Sequence, residues 1–227
     1  MTKNLDNDGL RSIVENYDIF YIDLWGVVHN GITLHKNAII ALEEITRANK
    51  DYVLLTNAPR PNKIVKTILE KMGMKKEIRD KVYSSGEASL SYLKKNYSNK
   101  SFYHIGPTRD FDLFSDFKKD KSKDIKDSQY LLCTGLFEEQ EKNLDYFKEL
   151  LKEHIDKIMI CTNPDLIVDK GSTRELCAGS VALVFEKMGG EVIYFGKPFP
   201  EVYNQAINNK GKRVLSIGDN LNTDIKG

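Results

Sequence analysis

The sequence contains little cysteine, and what it has fits neither a disulfide framework nor a zinc site. Its 227 residues include three cysteines, Cys133, Cys161 and Cys177. Their number is odd, and the close paired spacing of disulfide-rich or zinc-binding domains is missing. We therefore expect buried thiols in a protein of a reducing compartment.

Long apolar runs and an excess of charge are also missing. No stretch approaches the roughly 18 apolar residues that cross a bilayer, and residues 1–10 lack the apolar core of a secretion signal and an Arg-rich transit pattern. Lys plus Arg number 34 against 33 for Asp plus Glu, which gives no global electrostatic reason to bind nucleic acid or an anionic membrane. We expect a cytoplasmic protein with no nucleic-acid or membrane partner, which captures any anion locally.

The remaining composition is that of an ordinary globular protein. Hydrophobic residues make up 41% and charged residues 30% of the chain, values that argue against both disorder and membrane insertion. A chain of this length can form one large domain or two small domains with separate cores. We expect two.

Strands and helices alternate along the first part of the chain. The predicted elements are a strand at 19–24, a helix at 37–49, a strand at 52–55, a helix at 61–72 and a short strand at 82–84. This order predicts a parallel, doubly wound sheet with right-handed crossovers. Such sheets bind ligands at the carboxyl ends of their strands.

The middle of the chain repeats the alternation and predicts a second small α/β domain. Its expected elements are strands at 102–105, 130–134 and 158–162 and a helix at 140–153. A helix at 178–188 and a strand at 192–195 are expected to return the chain to the first domain. The predicted division is 1–86 and 190–227 for the first domain, with 87–189 inserted between them.

Four polar residues come at the ends of predicted strands: Asp23, Thr56, Lys197 and Asp219. A carboxylate at such a position is more often a turn or cap residue, so each is weak evidence alone. Together they suit one chemistry, because carboxylates are hard ligands for Mg²⁺ while a lysine and a hydroxyl donate to a phosphoryl group. The set predicts phosphoryl transfer.

Five short segments contain these residues or follow a predicted strand of the middle domain: Asp23–Val27 (DLWGV), Leu54–Asn57 (LLTN), Gly196–Pro198 (GKP), Gly218–Asp224 (GDNLNTD) and Thr162–Asp165 (TNPD). With these motifs, the sequence resembles the haloacid dehalogenase superfamily, class IIA, the NagD-like phosphatases, in which TNPD is a cap signature. The resemblance implies a Rossmann-like core with an inserted α/β cap domain of C2 type, and it covers nearly the whole chain.

The resemblance also implies roles for residues around the nucleophile. Asp23 would attack the phosphate and form an aspartyl-phosphate. Asp23, Asp219 and the backbone carbonyl of Trp25 would hold Mg²⁺, and Asp224 would support the metal.

The substrate would be bound by residues from both domains. Thr56, the backbone N–H of Asn57 and Lys197 would bind the phosphoryl oxygens. Asn163 and Asp165 would face the leaving group from the cap, although an Asn-Pro-Asp turn without ligand contact is an equally good interpretation.

Trp25 departs from the superfamily pattern, which usually has a second Asp two residues after the nucleophile. An indole N–H cannot serve as an acid or base near neutral pH, so hydrolysis of ordinary alkyl phosphates is expected to be slow. The tryptophan suggests a branch of the family with a D-x-W-G-V first motif. His29 is an alternative acid, although a histidine beside Asn30-Gly31 is more often a turn residue.

A second departure is that the sequence stops at Gly227, shortly after Asp224, where the family normally continues with a helix and a further strand. We expect a truncated chain, an unstable one, or a homodimer that covers the exposed sheet.

Three functions remain open from the sequence. The first is a phosphatase acting on a small phosphorylated metabolite such as a nucleotide or sugar phosphate. The second is a protein that binds Mg²⁺ and phosphate without turnover, as a sensor or partner module. The third is a phosphotransferase or mutase that passes the phosphoryl group to an acceptor other than water.

Overall fold

The computed structural model describes residues 8–170, 173–207 and 209–227. Within them the strands are β1 Ile19–Ile22, β2 Asp51–Thr56, β3 Val82–Ser84, β4 Phe102–Ile105, β5 Tyr130–Cys133, β6 Ile158–Cys161, β7 Ile167–Lys170, β8 Thr173–Leu176, β9 Glu191–Tyr194 and β10 Val214–Ile217. The α-helices are α1 Lys36–Arg47, α2 Asn62–Lys71, α3 Lys76–Arg79, α4 Ser85–Asn96, α5 Leu144–Leu151, α6 Ala178–Lys187 and α7 Pro200–Ala206. Segments of 3₁₀ helix cover Leu10–Ser12, Val14–Asn16, Thr108–Asp120, Ile125–Asp127 and Glu138–Gln140.

The first sheet has four parallel strands in the order β10-β1-β2-β3. Its central strand β1 is buried along its whole length, as its uninterrupted run of apolar residues requires in a sheet covered on both faces. Because the strands are parallel, their carboxyl ends lie at one edge. The predicted α/β architecture with parallel sheets is confirmed.

The second sheet is also parallel and has the order β4-β5-β6-β9. The strand near 192–195 was expected to return to the first domain, and this prediction is wrong: β9 pairs with β6, with Glu191 opposite Ile158. The reason is packing, since Val192 and Tyr194 of β9 share an apolar cluster with α6 and the rest of the second sheet. The division into domains stays a prediction, and its boundary at residue 189 would separate β9 from its own sheet.

One apolar cluster joins the two sheets. It contains Ile19, Tyr21 and Leu55 from the first sheet together with Phe102 and Tyr130 from the second, and residues of α4 complete it. The two sheets are therefore supported by a common core that can fix the position of one relative to the other.

The helices of this fold are short. The longest α-helices described, α1 and α4, have 12 residues each, whereas a bilayer span needs about 20. No helix in the described part of the chain is long and apolar enough to cross a membrane.

Candidate active site

The two sheets bring polar residues to a common site. Asp23 follows β1, Thr56 ends β2, and Asp219 follows β10 after a glycine. These three strands are adjacent and parallel, so their carboxyl ends meet at one edge of the first sheet. Lys197 comes from the second sheet, just after β9. The site is therefore built from both sheets.

Lys197 joins two carboxylates in the interior of this site. Its ammonium donates to Asp23 Oδ1, and to Asp224 Oδ1 over 2.5 Å. Only 4% of Lys197, 8% of Asp23 and 4% of Asp224 is exposed. One buried cation thus serves two buried carboxylates, and the cluster carries excess negative charge when both are ionised.

Burial and the neighbouring opposite charges shift the pKa of Asp23 in opposite directions, and the same holds for the pKa of Lys197. Burial raises the pKa of Asp23 to about 7, against the charge of Lys197, which lowers it. Burial also disfavours the charged form of Lys197, but the neighbouring Asp23 and Asp224 outweigh it and raise the pKa of the lysine. The lysine is therefore charged at neutral pH, and a further cation would favour ionisation of Asp23.

Three carboxylates fit a divalent cation. Asp23, Asp219 and Asp224 each offer an oxygen, and the three atoms lie within 4.8 Å of one another. Mg²⁺ takes oxygen ligands at about 2.0–2.1 Å, so opposite ligands are about 4 Å apart. The donor set therefore fits Mg²⁺ after a small adjustment.

Gly26 allows the chain after Trp25 to lie against Asp219. The glycine has φ +84°, and a Cβ at this position would lie 2.1 Å from Asp219 Oδ2. A side chain there would be both strained and in collision. This close approach is what a backbone ligand from Trp25 would require.

The Asn57 side chain ties together three strand ends. Its Oδ1 accepts the backbone N–H of Lys197 over 2.7 Å. Its Nδ2 donates to the Lys197 carbonyl over 3.1 Å and to Asp165 Oδ1 over 2.9 Å. Sequence reasoning assigned a role only to the backbone N–H of Asn57 and missed this clamp, whose partners lie 140 and 108 residues away. Beside it, the Thr56 hydroxyl accepts the N–H of Ala58 over 3.2 Å.

Asn163 and Asp165 have different surroundings in the loop after β6. Asn163 Oδ1 accepts the N–H of Asp165 over 3.0 Å, a contact within the turn that favours the turn interpretation for Asn163. Asp165 points to Asn57, and its burial raises the pKa of its carboxyl, with Lys197 among the opposing charges. The structure therefore brings Asp165 to the site, with Asn163 shaping its loop.

Trp25 and His29 pack against each other. The Trp25 indole donates to the carbonyl of Asp169 in the β7–β8 hairpin over 2.9 Å. His29 packs edge-on against the indole, with ring centroids 5.5 Å apart, and its Nδ1 accepts the N–H of Gly31 over 2.9 Å. Burial lowers the pKa of His29. These contacts favour the turn interpretation of His29 over an acid-base role. The hairpin itself was missed by the sequence reasoning.

The first part of the chain is similar to a known protein family. Residues 20–117, which include Asp23, Thr56 and Asn57, match the pattern of the family described as haloacid dehalogenase-like hydrolase. This match covers less than half of the chain, and over these residues the chain is similar to that family. A stretch of 71 residues is 39% identical to a dihydroxyacetone phosphatase from Corynebacterium glutamicum (strain R); it covers 30% of this chain and 26% of that protein, so the match spans about a quarter of that relative.

Solved structures with the haloacid dehalogenase-like fold match over most of the chain. A hydrolase of the haloacid dehalogenase-like family from Brucella suis 1330 is 29% identical with a TM-score of 0.86, covering 96% of this chain and 83% of that one. A glycerol phosphate phosphatase from Mycobacterium tuberculosis in complex with magnesium is 20% identical with a TM-score of 0.69, covering 94% and 65%. The second likeness shows the fold alone.

Proposed function

We propose that this protein is a Mg²⁺-dependent phosphatase that hydrolyses the phosphate monoester of a small metabolite through an aspartyl-phosphate at Asp23. The observation that carries the proposal is the buried Lys197 ammonium shared by Asp23 and Asp224, with Asp219 close by. Phosphoryl transfer needs mainly a positioned nucleophile, a metal and fixed donors for the phosphoryl oxygens. The described residues supply the nucleophile, the donors and the ligands.

The reaction follows from the positions of these groups. An oxygen of Asp23 attacks phosphorus, and the ester oxygen leaves with its bonding electrons, which gives the aspartyl-phosphate. Water then attacks phosphorus and restores the Asp23 carboxylate with release of inorganic phosphate. Lys197 orients Asp23 and offsets charge on the phosphoryl oxygens, to which Thr56 and the N–H of Asn57 also donate. Mg²⁺ would be held by Asp23, Asp219, Asp224 and the carbonyl of Trp25. When bound, it would supply shielding of the anionic phosphate from the anionic nucleophile.

The leaving group receives no proton from position 25. General acid-base catalysis is worth about 10²–10⁴-fold, and the Trp25 indole is engaged with the hairpin. Phosphates with good leaving groups are therefore the fastest expected substrates. The proteins similar to this one include a dihydroxyacetone phosphatase and a glycerol phosphate phosphatase, which supports a small phosphorylated metabolite, with Asp165 on the leaving-group side.

Several finer predictions accompany this function. They are membership of the NagD-like class IIA and its D-x-W-G-V branch, a cap of C2 type built on the second sheet, a cytoplasmic location and a homodimer. None is needed for the reaction above.

The test measures phosphate release from p-nitrophenyl phosphate, acetyl phosphate, nucleotides and sugar phosphates, with Mg²⁺ or with EDTA. The wild type is compared with Asp23→Asn and with Asp112→Asn, which changes an exposed carboxylate outside the site. We expect Mg²⁺-dependent turnover that is lost in Asp23→Asn and kept in Asp112→Asn.

One observation favours a second function, a protein that binds Mg²⁺ and phosphate without turnover. Trp25 stands where the family usually has its acid, and its side chain makes a contact elsewhere. Folded wild type that binds Mg²⁺ and phosphate but releases no phosphate from any of these compounds would overturn the phosphatase in favour of this sensor function.

A further inference from the structure

The β7–β8 hairpin begins beside the proposed active site. It consists of Ile167–Lys170 and Thr173–Leu176, paired antiparallel, and it directly follows Asp165. Its base is closed by the N–H of Cys177, which donates to the Leu166 carbonyl over 2.9 Å. The Ser180 hydroxyl donates to the same carbonyl over 2.6 Å.

The segment entering the hairpin is attached on two sides of the site. Asp165 accepts a hydrogen bond from Asn57, after β2. Asp169 accepts one from the indole of Trp25, two residues past the nucleophile Asp23. Four residues of extended chain span at most about 14 Å. The segment 165–169 therefore runs from the end of β2 to the loop after β1. The proposed nucleophile Asp23 and the proposed phosphate donor Thr56 lie at these two strand ends.

The loop after β1 is shaped to hold the indole. Gly31 has φ +87°, and a Cβ there would lie 2.5 Å from Trp25 Cη2, so the ring occupies the space of the missing side chain. His29 packs against the edge of the ring. The loop is fixed by Gly26 N–H donating to the His29 carbonyl over 2.8 Å and by the Gly31 bond to the His29 ring.

Few of the hairpin's described residues pack against an apolar cluster; Leu176 of β8 is one of them. Leu166 and Ile167 are exposed, and the Asp169–Arg174 ion pair that links its strands is on the surface, where such pairs contribute little. Stability is lowest where few apolar contacts are buried, and such segments open locally. A hydrogen bond from a fixed indole would therefore have a measurable effect on its position.

We infer that Trp25 is a positioning residue that fastens the β7–β8 hairpin beside the active site and thereby holds Asp165 on the leaving-group side. This inference rests on the proposed function for its role in substrate binding, but the attachment itself does not. Trp25 stands where the family usually has its acid. In this chain that residue would instead fix the position of the loop that carries Asp165. Any residue at 169 could accept the bond, since the acceptor is a main-chain carbonyl, whereas the donor depends on Trp25.

Hydrogen exchange of Trp25→Phe tests the attachment without any turnover. Phenylalanine keeps an aromatic ring at this position and removes the N–H. Loss of one such hydrogen bond should shift the ratio of attached to detached hairpin by about 2- to 12-fold. We expect amides of 166–170 to exchange faster by that factor, with those of β1 unchanged. Unchanged exchange at 166–170 in the folded variant would overturn the inference.

A second variant covers the case in which Trp25→Phe does not fold. Trp25 is the single tryptophan of the chain, so tryptophan fluorescence reports the surroundings of this indole. Val168→Pro removes a backbone N–H of β7 and fixes φ there, and so loosens the strand that carries Asp169 without changing the loop after β1. Stronger quenching of Trp25 by acrylamide than in the control Arg47→Ala is expected. Equal quenching would contradict the attachment.

Kinetics separate this inference from the proposed function. If the phosphatase is active, Trp25→Phe should lower kcat/KM about 2- to 12-fold, mainly through KM, because substrate contacts are lost in the ground state and the transition state alike. A fall confined to kcat would contradict the positioning role. Absence of turnover in the wild type would sink the proposed function, while exchange and quenching would still decide the attachment.

Discussion

Two ion-pair clusters with buried carboxylates connect the two sheets, and they differ in charge balance. Arg60, after β2, donates from Nε to Asp110 Oδ1 over 3.1 Å, and Asp110 is only 3% exposed. Here one cation meets one carboxylate. In the other cluster Lys197 is shared by Asp23 and Asp224. The first pair is neutral as a whole, whereas the second carries an unpaired negative charge when both of its carboxylates are ionised.

The difference separates a structural contact from the proposed binding site. A buried ion pair is costly unless its charges are matched and hydrogen-bonded, and Arg60–Asp110 meets that condition without a ligand. Burial raises the pKa of Asp110 while Arg60 opposes the shift. The Lys197 cluster meets the condition only when another cation is present or when a carboxylate is protonated. Charge imbalance therefore marks the site that should bind a metal.

The largest expected effect is that of Lys197→Met on turnover. The variant removes the cation proposed to stabilise the phosphoryl oxygens, and loss of one such group typically costs about 10²–10³-fold in kcat. Phosphate release with Mg²⁺ measures it. Lys63→Met, which changes an exposed lysine of α2, is the control and should keep wild-type kcat. Normal kcat in Lys197→Met would remove the lysine from the mechanism.

Arg60→Met should instead act on stability. It leaves Asp110 buried without its cation, which typically costs about 3–5 kcal/mol, and we expect about 2–4 because Arg60 is partly exposed. Urea unfolding monitored by circular dichroism measures the change, with the exposed Arg47→Met as the control. A loss of kcat per folded molecule comparable to that of Lys197→Met would show that the two clusters are not distinct in function.

Mg²⁺ should stabilise the protein through the unbalanced cluster alone. Saturation at 100 times the Kd adds about 2.7 kcal/mol to the free energy of unfolding. Thermal unfolding with Mg²⁺ and with EDTA should show a higher Tm with Mg²⁺ in the wild type and in Arg60→Met. Asp219→Asn removes a proposed ligand and should lose most of the increase. An equal increase in Asp219→Asn would place the metal elsewhere.

The sequence revealed the residues whose position follows from a strand end. Asp23 and Thr56 could be placed because a buried apolar run followed by a polar residue is a local signal, and parallel strands gather such ends at one edge. Lys197 was recognised in its motif, but its strand was assigned to the wrong sheet. The hydrophobic periodicity of a strand predicts how it is buried, but it does not predict which strands it pairs with.

The contacts that organise the site left no local signal. The Asn57 clamp, the Trp25 bond to the hairpin and the Arg60–Asp110 pair join residues 50 or more positions apart. Each depends on how the second sheet packs against the first, which the common apolar core determines. Such contacts are properties of tertiary packing and not of any short segment.

The smallest expected effect is a change in how stability depends on pH. It concerns the region of the charge-balanced Arg60–Asp110 pair. His104 in β4 is buried beside the Arg60–Asp110 region, with its Nε2 2.8 Å from the Thr134 hydroxyl. Burial lowers the pKa of His104 from 6.5 to about 3, and the charge of Lys121 adds to this. The unfolded chain therefore binds a proton below about pH 6.5 that the folded chain does not bind until about pH 3. The contribution of His104 to the free energy of unfolding therefore falls as the pH drops through that window, by at most about 1.4 kcal/mol per pH unit.

Urea unfolding of the wild type and of His104→Gln at pH 7, 6 and 5 would measure this contribution. Glutamine can keep a hydrogen bond to Thr134 and does not titrate, so the variant should lose stability less steeply than the wild type as the pH falls. Other titrating groups are the same in both proteins, and the difference in slope reports His104. Identical slopes would mean that His104 accepts a proton in the folded protein, and the second sheet would then hold an uncompensated charge of its own. The contrast between a balanced structural region and an unbalanced active site would fail at that point.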